Sequence, residues 1–185
     1  MKVSREQAGR NRDKVVDTAA RLFREHGLDG VSIGEVMRES GLTHGGFYKQ
    51  FGSKDALAAE ATDRALDRSA GRWREIVAGA AEGEGLAAIA RDYLSIRNRD
   101  APETGCMLVA LGPDSARKGG EVAAAFRGGF EGLAGILEQA GADRAEALAR
   151  LAQMVGAMIL ARGVDDIALS EEILQAAGGA LRADL

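Results

Sequence analysis

The stretch Ser32–Lys54, SIGEVMRESGLTHGGFYKQFGSK, contains the pattern that decides the fold. Ser32 followed three residues later by Glu35 is typical of a capping box at the start of a short helix. Gly41 provides a stop for that helix, and Thr43 begins a second short helix. Two short helices joined by a turn that contains glycine predict a helix-turn-helix.

The second helix of this pair is the one expected to read DNA, because an α-helix fits the major groove. Phe47 and Phe51 lie on its apolar side and are expected in the core. Gly45 and Gly46 carry no side chains, which lets the helix backbone approach DNA closely. The residues expected on the outward side are Thr43, His44, Gly45, Tyr48 and Lys49.

The rest of the chain reads as helix nearly throughout. Pro102 and Pro113 are the only prolines, and no strict alternation of apolar and polar residues indicates a strand. We therefore predict an all-α fold of about nine helices. An N-terminal three-helix, helix-turn-helix DNA-binding domain is expected over residues 1–54, and a C-terminal helical ligand-binding and dimerisation domain over 55–185.

Helix ends are predicted from capping and breaking residues. The helices outside the quoted pair are expected at about residues 10–26, 54–80, 86–99, 105–111, 122–140, 144–162 and 170–185. Gly112 and Pro113 are expected to break the chain, and Ser170 to cap the last helix. Because glycine weakens a helix, close helix packing is expected at the four that interrupt residues 122–140, which are Gly128, Gly129, Gly132 and Gly135.

Composition and charge narrow the class of protein. Apolar residues make up 46% and charged residues 28% of 185 residues, a balance typical of a folded soluble chain. No apolar run is long enough to span a membrane, and the polar N-terminus lacks a signal-peptide core, so a cytoplasmic protein is expected. The net charge of −4 divides into +3 over residues 1–54 and −7 over the rest. A basic end on an acidic body suits a chain that offers one end to a polyanion, although a chance surface distribution would look the same.

Over about residues 10–57 the chain resembles the tetracycline-repressor (TetR/AcrR) family of bacterial transcriptional regulators. The residues that carry the resemblance are Phe23, Gly27, Ser32, Ile33, Gly41-Leu42-Thr43, Gly45, Phe47-Tyr48-Lys49-Gln50-Phe51, Lys54 and Leu57. The rest of the chain matches this family only in length and helix pattern. The resemblance implies a DNA-binding repressor that a small molecule releases from DNA.

The resemblance also implies individual roles in the helix-turn-helix. Thr43 and Tyr48 match positions that meet the phosphate backbone, His44 matches a variable base-reading position, and Lys49 a base or phosphate contact. Lys54 matches a lysine that holds a phosphate at the start of the long helix, where helix N-termini attract anions. With Ser32 added, the predicted DNA-contacting set is Ser32, Thr43, His44, Gly45, Tyr48, Lys49 and Lys54. A basic flank is expected from Arg5, Arg10 and Arg12.

The predicted C-terminal domain, residues 55–185, is called the body here and is expected to dimerise and to bind a ligand. Family members bind near-palindromic DNA operators as homodimers through their last two helices, and both of those helices here have wide apolar faces. The expected interface residues are Leu148, Leu151, Val155, Ile159, Ile173, Leu174, Ala177 and Leu181. A chamber for an apolar or electrophilic inducer is expected to be lined by Trp73, Tyr93, Cys106, Met107, Phe126, Phe130, Met154 and Met158, although such residues are also common in an ordinary core.

Other functions are weighed against this one. Cys106, the only cysteine, is expected in the first turn of a short helix capped by Thr104, where a lowered thiol pKa would suit a redox- or electrophile-sensing repressor. The other interpretation of Cys106 is a small buried apolar residue. A helical protein-interaction module without DNA binding is a remoter alternative. No enzyme, metal site or cofactor is expected, because the body has no histidine and the two histidines lie far from the cysteine in the chain.

Overall fold

The computed structural model describes residues 4–183, so the ends of both predicted domains and the predicted end of the last helix at Leu185 lie outside the described residues. Within this range the chain forms nine α-helices and no β-strand, which confirms the all-α fold. The helices are α1 (Arg5–His26), α2 (Ile33–Glu39), α3 (Lys54–Gly79), α4 (Gly85–Tyr93), α5 (Ile96–Asp100), α6 (Met107–Lys118), α7 (Gly120–Gln139), α8 (Arg144–Gly163) and α9 (Ile167–Ala183).

Caps place the helices of the N-terminal part as the sequence predicts. The hydroxyl of Ser32 accepts the backbone N–H of Glu35 at 3.1 Å at the start of α2. Beyond α2, the N–H of Leu42 donates to the carbonyl of Met37 at 2.9 Å, and Gly41 between them has a φ of 69°. This left-handed glycine ends α2 and turns the chain toward the second element of the helix-turn-helix.

The long helix α3 joins the two parts of the molecule. It packs against α1 on one side and most extensively against α7 on another, and it begins at Lys54, the last residue of the predicted N-terminal domain. The two helices approach each other closely at Gly129, where an added Cβ would lie 2.1 Å from a methyl carbon of Leu66. The expectation of close packing is thus right for Gly129. It is wrong for the other three glycines of the predicted set, around which a Cβ would have open space: Gly128, Gly132 and Gly135.

Two predicted helix boundaries are wrong. α6 continues through Gly112 and Pro113 to Lys118, because Pro113 lies on the exposed side while Leu111 and Ser115 on either side of it are buried. The predicted helix over residues 86–99 is two helices, since the chain turns at Leu94 and the hydroxyl of Ser95 caps α5 by accepting the N–H of Asn98.

The start of the last helix also differs from the prediction. α9 begins at Ile167, and the carboxylate of Asp166 accepts the N–H of Leu169 at 2.9 Å, which makes Asp166 its cap. Ser170 lies inside α9 and is buried, with its hydroxyl donating to the carbonyl of Ala161 on α8 at 2.5 Å. Ser170 therefore joins two helices and caps neither.

A single apolar core runs through the described residues, from Val15 in α1 to Leu181 in α9. The DNA-reading end and the body are therefore packed together without a linker between them. None of the described helices combines the length and the apolar character that crossing a membrane would require.

Candidate functional site

The predicted reading helix is much shorter than expected. Thr43 precedes a 3-10 helix of three residues, His44–Gly46, after which Phe47–Gln50 form turns. The prediction of a short α-helix here is wrong in its geometry, although the chain still coils in the predicted place. Two adjacent glycines, Gly45 and Gly46, explain this because glycine loses the most backbone entropy in a helix.

We call residues 43–50 the reading turn. A buried aromatic pair supports this turn on its inner side. Phe47 is fully buried and its ring stacks on Phe51 with centroids 5.4 Å apart. The guanidinium of Arg12 lies 4.2 Å from the centre of the Phe51 ring and donates to the carbonyl of Gln50 and to Glu60. Arg12 thus helps to hold the turn in place, and its contribution to a basic flank stays a prediction.

The predicted contact residues of the reading turn all lie on the open surface. Tyr48 is 65% exposed, and its ring stands edge-on to that of Phe47 at 5.1 Å and to that of His44 at 6.3 Å. His44 and Lys49 are exposed beside it. Gly45 is also exposed, and a Cβ added there would meet nothing within 4 Å. The protein itself therefore gives no packing reason for a glycine at this position.

The remaining predicted DNA contacts differ in whether the protein already uses their side chains. Thr43 is exposed and its hydroxyl makes no capping bond, whereas the exposed hydroxyl of Ser32 already accepts the N–H of Glu35. Lys54 is half-buried, and its ammonium donates to the backbone carbonyl of Leu28 in the loop between α1 and α2. Lys54 therefore has a structural bond that competes with the phosphate contact implied by the resemblance.

Two cations that sequence reasoning missed lie beside the reading turn. Lys14 on α1 places its ammonium 3.4 Å from where a Cβ of Gly41 would lie, at the turn of the helix-turn-helix. Arg38 is exposed near the end of α2. Among the described residues neither Lys14 nor Arg38 forms an ion pair, whereas Arg10 pairs with Glu6 at 2.5 Å. The excess of basic residues near the N-terminus was the available signal for both.

Only part of the predicted ligand chamber forms a cavity. Trp73, Tyr93 and Cys106 line a cleft of about 440 Å³, with the two rings edge-to-face at 5.9 Å. Phe126 and Phe130 are half-buried against the core. The three methionines predicted to line the chamber are buried among other core side chains, which corrects their assignment: Met107, Met154 and Met158.

The expected reactivity of Cys106 is contradicted. Thr104 ends a separate 3-10 turn, Pro102–Thr104, and Cys106 precedes α6 as its N-cap residue instead of lying in its first turn. Burial raises the pKa of the Cys106 thiol. A buried thiol with a raised pKa does not favour a thiolate sensor at this site.

The predicted dimer residues divide into two groups. Leu148, Val155 and Ile159 lie on one exposed or half-buried side of α8, and Ile173 and Ala177 are half-buried on α9. Three others are buried in the chain's own core, so their assignment to an interface is wrong: Leu151, Leu174 and Leu181. The sequence alone could not assign these residues to the core, because α8 and α9 carry apolar residues on both sides and the pattern does not show which side meets a second chain.

A helical body with an exposed helix-turn-helix at one end defines the class of helix-turn-helix regulators. Comparison with known proteins agrees. Residues 15–61 match the family model described as bacterial regulatory proteins, tetR family. The chain is 36% identical over 67 residues to the transcriptional repressor KstR2 of Rhodococcus jostii (strain RHA1), a match that covers 36% of this chain and 33% of that protein. It is 30% identical over 115 residues to the transcriptional repressor ComR of Escherichia coli (strain K12), covering 57% and 53%.

Solved structures extend the likeness of fold to nearly the whole chain. The reduced form of E. coli NemR superposes with a TM-score of 0.81 at 21% identity, covering 94% of this chain and 95% of that one. A TetR regulator from Chloroflexus aurantiacus has a TM-score of 0.76 at 21% identity, covering 95% and 94%. Together, the family-model match, the curated relatives and the solved structures indicate a TetR-family transcriptional regulator. Its matches span only a third to a half of the length of the two curated repressors named above.

Proposed function

We propose that this protein is a homodimeric, non-enzymatic repressor of transcription in the cytoplasm, which binds a near-palindromic DNA operator and is released by a small molecule. The observation that carries the proposal is the reading turn, where His44, Tyr48 and Lys49 are exposed over the buried pair Phe47 and Phe51. Exposed polar and aromatic side chains on a rigid support are what groove recognition requires.

Within this surface the residues have different tasks. The hydroxyls of Thr43 and Tyr48 and the ammonium of Lys49 meet phosphate oxygens, which position the turn without reading sequence. His44 presents its ring to base edges and contributes to sequence preference. Gly45 lets the backbone between them come close to the duplex, since no protein atom lies within 4 Å of where its Cβ would be.

The apolar face of α8 and α9 supports a homodimer. Ile159 is 43% exposed in the single chain, and Leu148 and Val155 continue the same side of α8. Exposed alanine and glycine residues surround them, which permits close helix approach, and Leu169 extends the exposed apolar surface on α9. Pairing two such faces about a two-fold axis forms a four-helix bundle. Binding of a near-palindromic operator then requires the two reading turns to meet half-sites about 34–36 Å apart, one turn of DNA.

Fluorescence anisotropy with DNA from upstream of the protein's own coding region tests the proposal. We expect specific binding that unlabelled copies of the same fragment compete away far better than an equal mass of unrelated DNA. Equal competition by both DNAs, or no binding at low salt, would contradict the proposal and favour a helical protein-interaction module. Arg127→Ala, which removes an exposed charge from α7, is the control for charge loss remote from the reading turn.

A further inference from the structure

A groove of about 1170 Å³ opens where the end of α1 meets the body of the protein. Its apolar wall is formed by Pro102, Val109, Ala110, Ile159, Val164 and Ile167. None of the eight residues predicted to line a ligand chamber belongs to it. The groove is therefore distinct from the cleft at Trp73 and Tyr93, and its volume suffices for a drug-sized molecule.

The first of two unusual cations in this groove is Arg24, in the last turn of α1. Its side chain is half-buried, and its Nε donates to the backbone carbonyl of Glu103 at 2.7 Å. Among the described residues, no carboxylate forms an ion pair with this guanidinium. Burial lowers the pKa of Arg24, because removing the guanidinium from water disfavours its charged form.

The second cation is Arg162, near the end of α8. Its Nε and Nη2 donate to the backbone carbonyls of Arg99 at 3.1 Å and Asn98 at 2.6 Å. Like Arg24, it is half-buried and has no ion-pair partner in the part of the chain that the structure describes. Since a guanidinium has five donor N–H groups, both side chains retain donors that the protein does not use.

The carboxylates that line the groove are mostly engaged elsewhere. Glu25 pairs with Arg21 at 2.8 Å, and Asp100 pairs with Arg99 at 2.7 Å. Asp166 caps α9, and Asp165 is exposed to solvent. Among the described residues, Arg24 and Arg162 are half-buried and form no ion pair, although the half-buried Glu103 lies near enough to act electrostatically on both guanidiniums.

We propose that this groove binds an amphipathic carboxylate, whose anionic head meets Arg24 and Arg162 and whose apolar body lies along Val109 and Ala110. Partly buried guanidiniums bind carboxylates through charge-assisted hydrogen bonds, and both arginines retain unused donors for such bonds. The role of such a molecule as inducer rests on the repressor function proposed above.

The position of the groove explains how occupancy would reach DNA. Arg24 belongs to α1 of the DNA-binding end, whereas Arg162 and Val109 belong to α8 and α6 of the body. A carboxylate held by both arginines therefore favours one arrangement of α1 against the body. If that arrangement differs from the DNA-bound one, the ligand and DNA oppose each other by differential affinity.

Calorimetric titration of the full chain with decanoate, decanol and decylammonium at neutral pH tests the ligand class. We expect decanoate to bind at least about tenfold more tightly than either of the other two. Arg24→Gln and Arg162→Gln should each weaken decanoate binding at least about tenfold, and the matched control Arg127→Gln should leave it unchanged. Thermal melting verifies the fold, and Arg24→Lys and Arg162→Lys, which keep the charge, should retain part of the affinity.

Several outcomes would overturn the proposal. The first is that wild type does not bind decanoate. The second is that it binds decylammonium as tightly as decanoate. The third is that Arg162→Gln binds decanoate as tightly as wild type does. If a glutamine variant fails to fold, the three-ligand comparison on wild type decides. DNA binding is measured separately by anisotropy, so its failure refutes the repressor while leaving the groove. Arginine-dependent decanoate binding that leaves DNA affinity unchanged would refute the inducer role.

Discussion

The carboxylate of Asp114 on α6 accepts the backbone N–H of Leu28 at 2.8 Å, joining residues 86 positions apart in the chain. Leu28 lies in the loop between α1 and α2, directly before the helix-turn-helix. The other oxygen of Asp114 pairs with Arg117. Gly27, with a φ of 71°, permits this approach, since a Cβ there would lie 3.2 Å from the carboxylate.

The same loop is held from two further directions. The ammonium of Lys118 at the end of α6 pairs with Asp29 at 2.8 Å, and that of Lys54 on α3 donates to the carbonyl of Leu28. α6 therefore holds the loop that precedes α2 through two of its side chains, Asp114 and Lys118. These bonds connect α6 of the body directly to the loop that precedes the helix-turn-helix.

Replacing Asp114 by alanine should destabilise the protein because it leaves the buried N–H of Leu28 without an acceptor. We expect a loss of about 1–3 kcal/mol in the free energy of unfolding, measured by urea denaturation. Arg117→Ala is the matched control, since it removes only the exposed partner of Asp114 and should cost about 0–1 kcal/mol. Equal losses in the two variants would show that the bond to Leu28 contributes nothing of its own.

Gly45→Ala should separate stability from DNA binding. A Cβ at this position meets no protein atom, and Gly45 does not have a positive φ. We expect a melting temperature equal to or above that of wild type, together with clearly weaker DNA binding, because the added methyl group stands between backbone and duplex. Unchanged DNA affinity in a folded Gly45→Ala protein would contradict a close approach of the Gly45 backbone to DNA.

Ile159→Glu should produce a folded monomer. Ile159 is already partly exposed in the single chain, so a charge costs little there until a second chain covers it. Sedimentation should show a monomer for Ile159→Glu and a dimer for wild type. The control Ala124→Glu, at an exposed position of α7, should also remain a dimer. By contrast, Leu174→Glu should unfold the chain, since Leu174 is buried in the core. A wild-type monomer at micromolar concentration would rule the interface out.

Cys106 should react slowly in the native protein. Burial raises its thiol pKa above the ordinary value of 9.0, so the reactive thiolate is scarce at neutral pH. Iodoacetamide should modify the unfolded chain at least about tenfold faster than the folded one. Because the unfolded chain loses this proton first, the contribution of Cys106 to stability is present below pH 9 and declines as the pH rises toward its folded pKa. Rapid labelling of folded protein at neutral pH would contradict this assignment.

Local sequence signals predicted much of the architecture. The serine caps at Ser32 and Ser53 fix α2 and α3 because they act within three residues. Prediction failed where tertiary packing decides: Pro113 remains within α6, and Asp166 rather than Ser170 caps α9.

The candidate site divides in the same way. The reading turn lies at the predicted place, since its exposed and buried positions follow from a contiguous pattern. The groove at Arg24 and Arg162 was invisible in the sequence, because these residues lie far apart in the chain and their lack of counter-ions is a property of the fold. Burial of Cys106 likewise depends on Tyr93, which packs against it from another helix.

The salt dependence of DNA binding in Lys49→Ala tests the central claim most directly. Lys49 is exposed and, among the described residues, its ammonium forms no hydrogen bond or ion pair, unlike that of Lys54, so its loss should leave the fold intact. If the reading turn meets phosphate through Lys49, the slope of log affinity against log salt should fall in magnitude by about 1 relative to wild type and to Arg127→Ala. Wild-type affinity and slope in a folded Lys49→Ala protein would contradict the assignment of this turn as the DNA-reading surface.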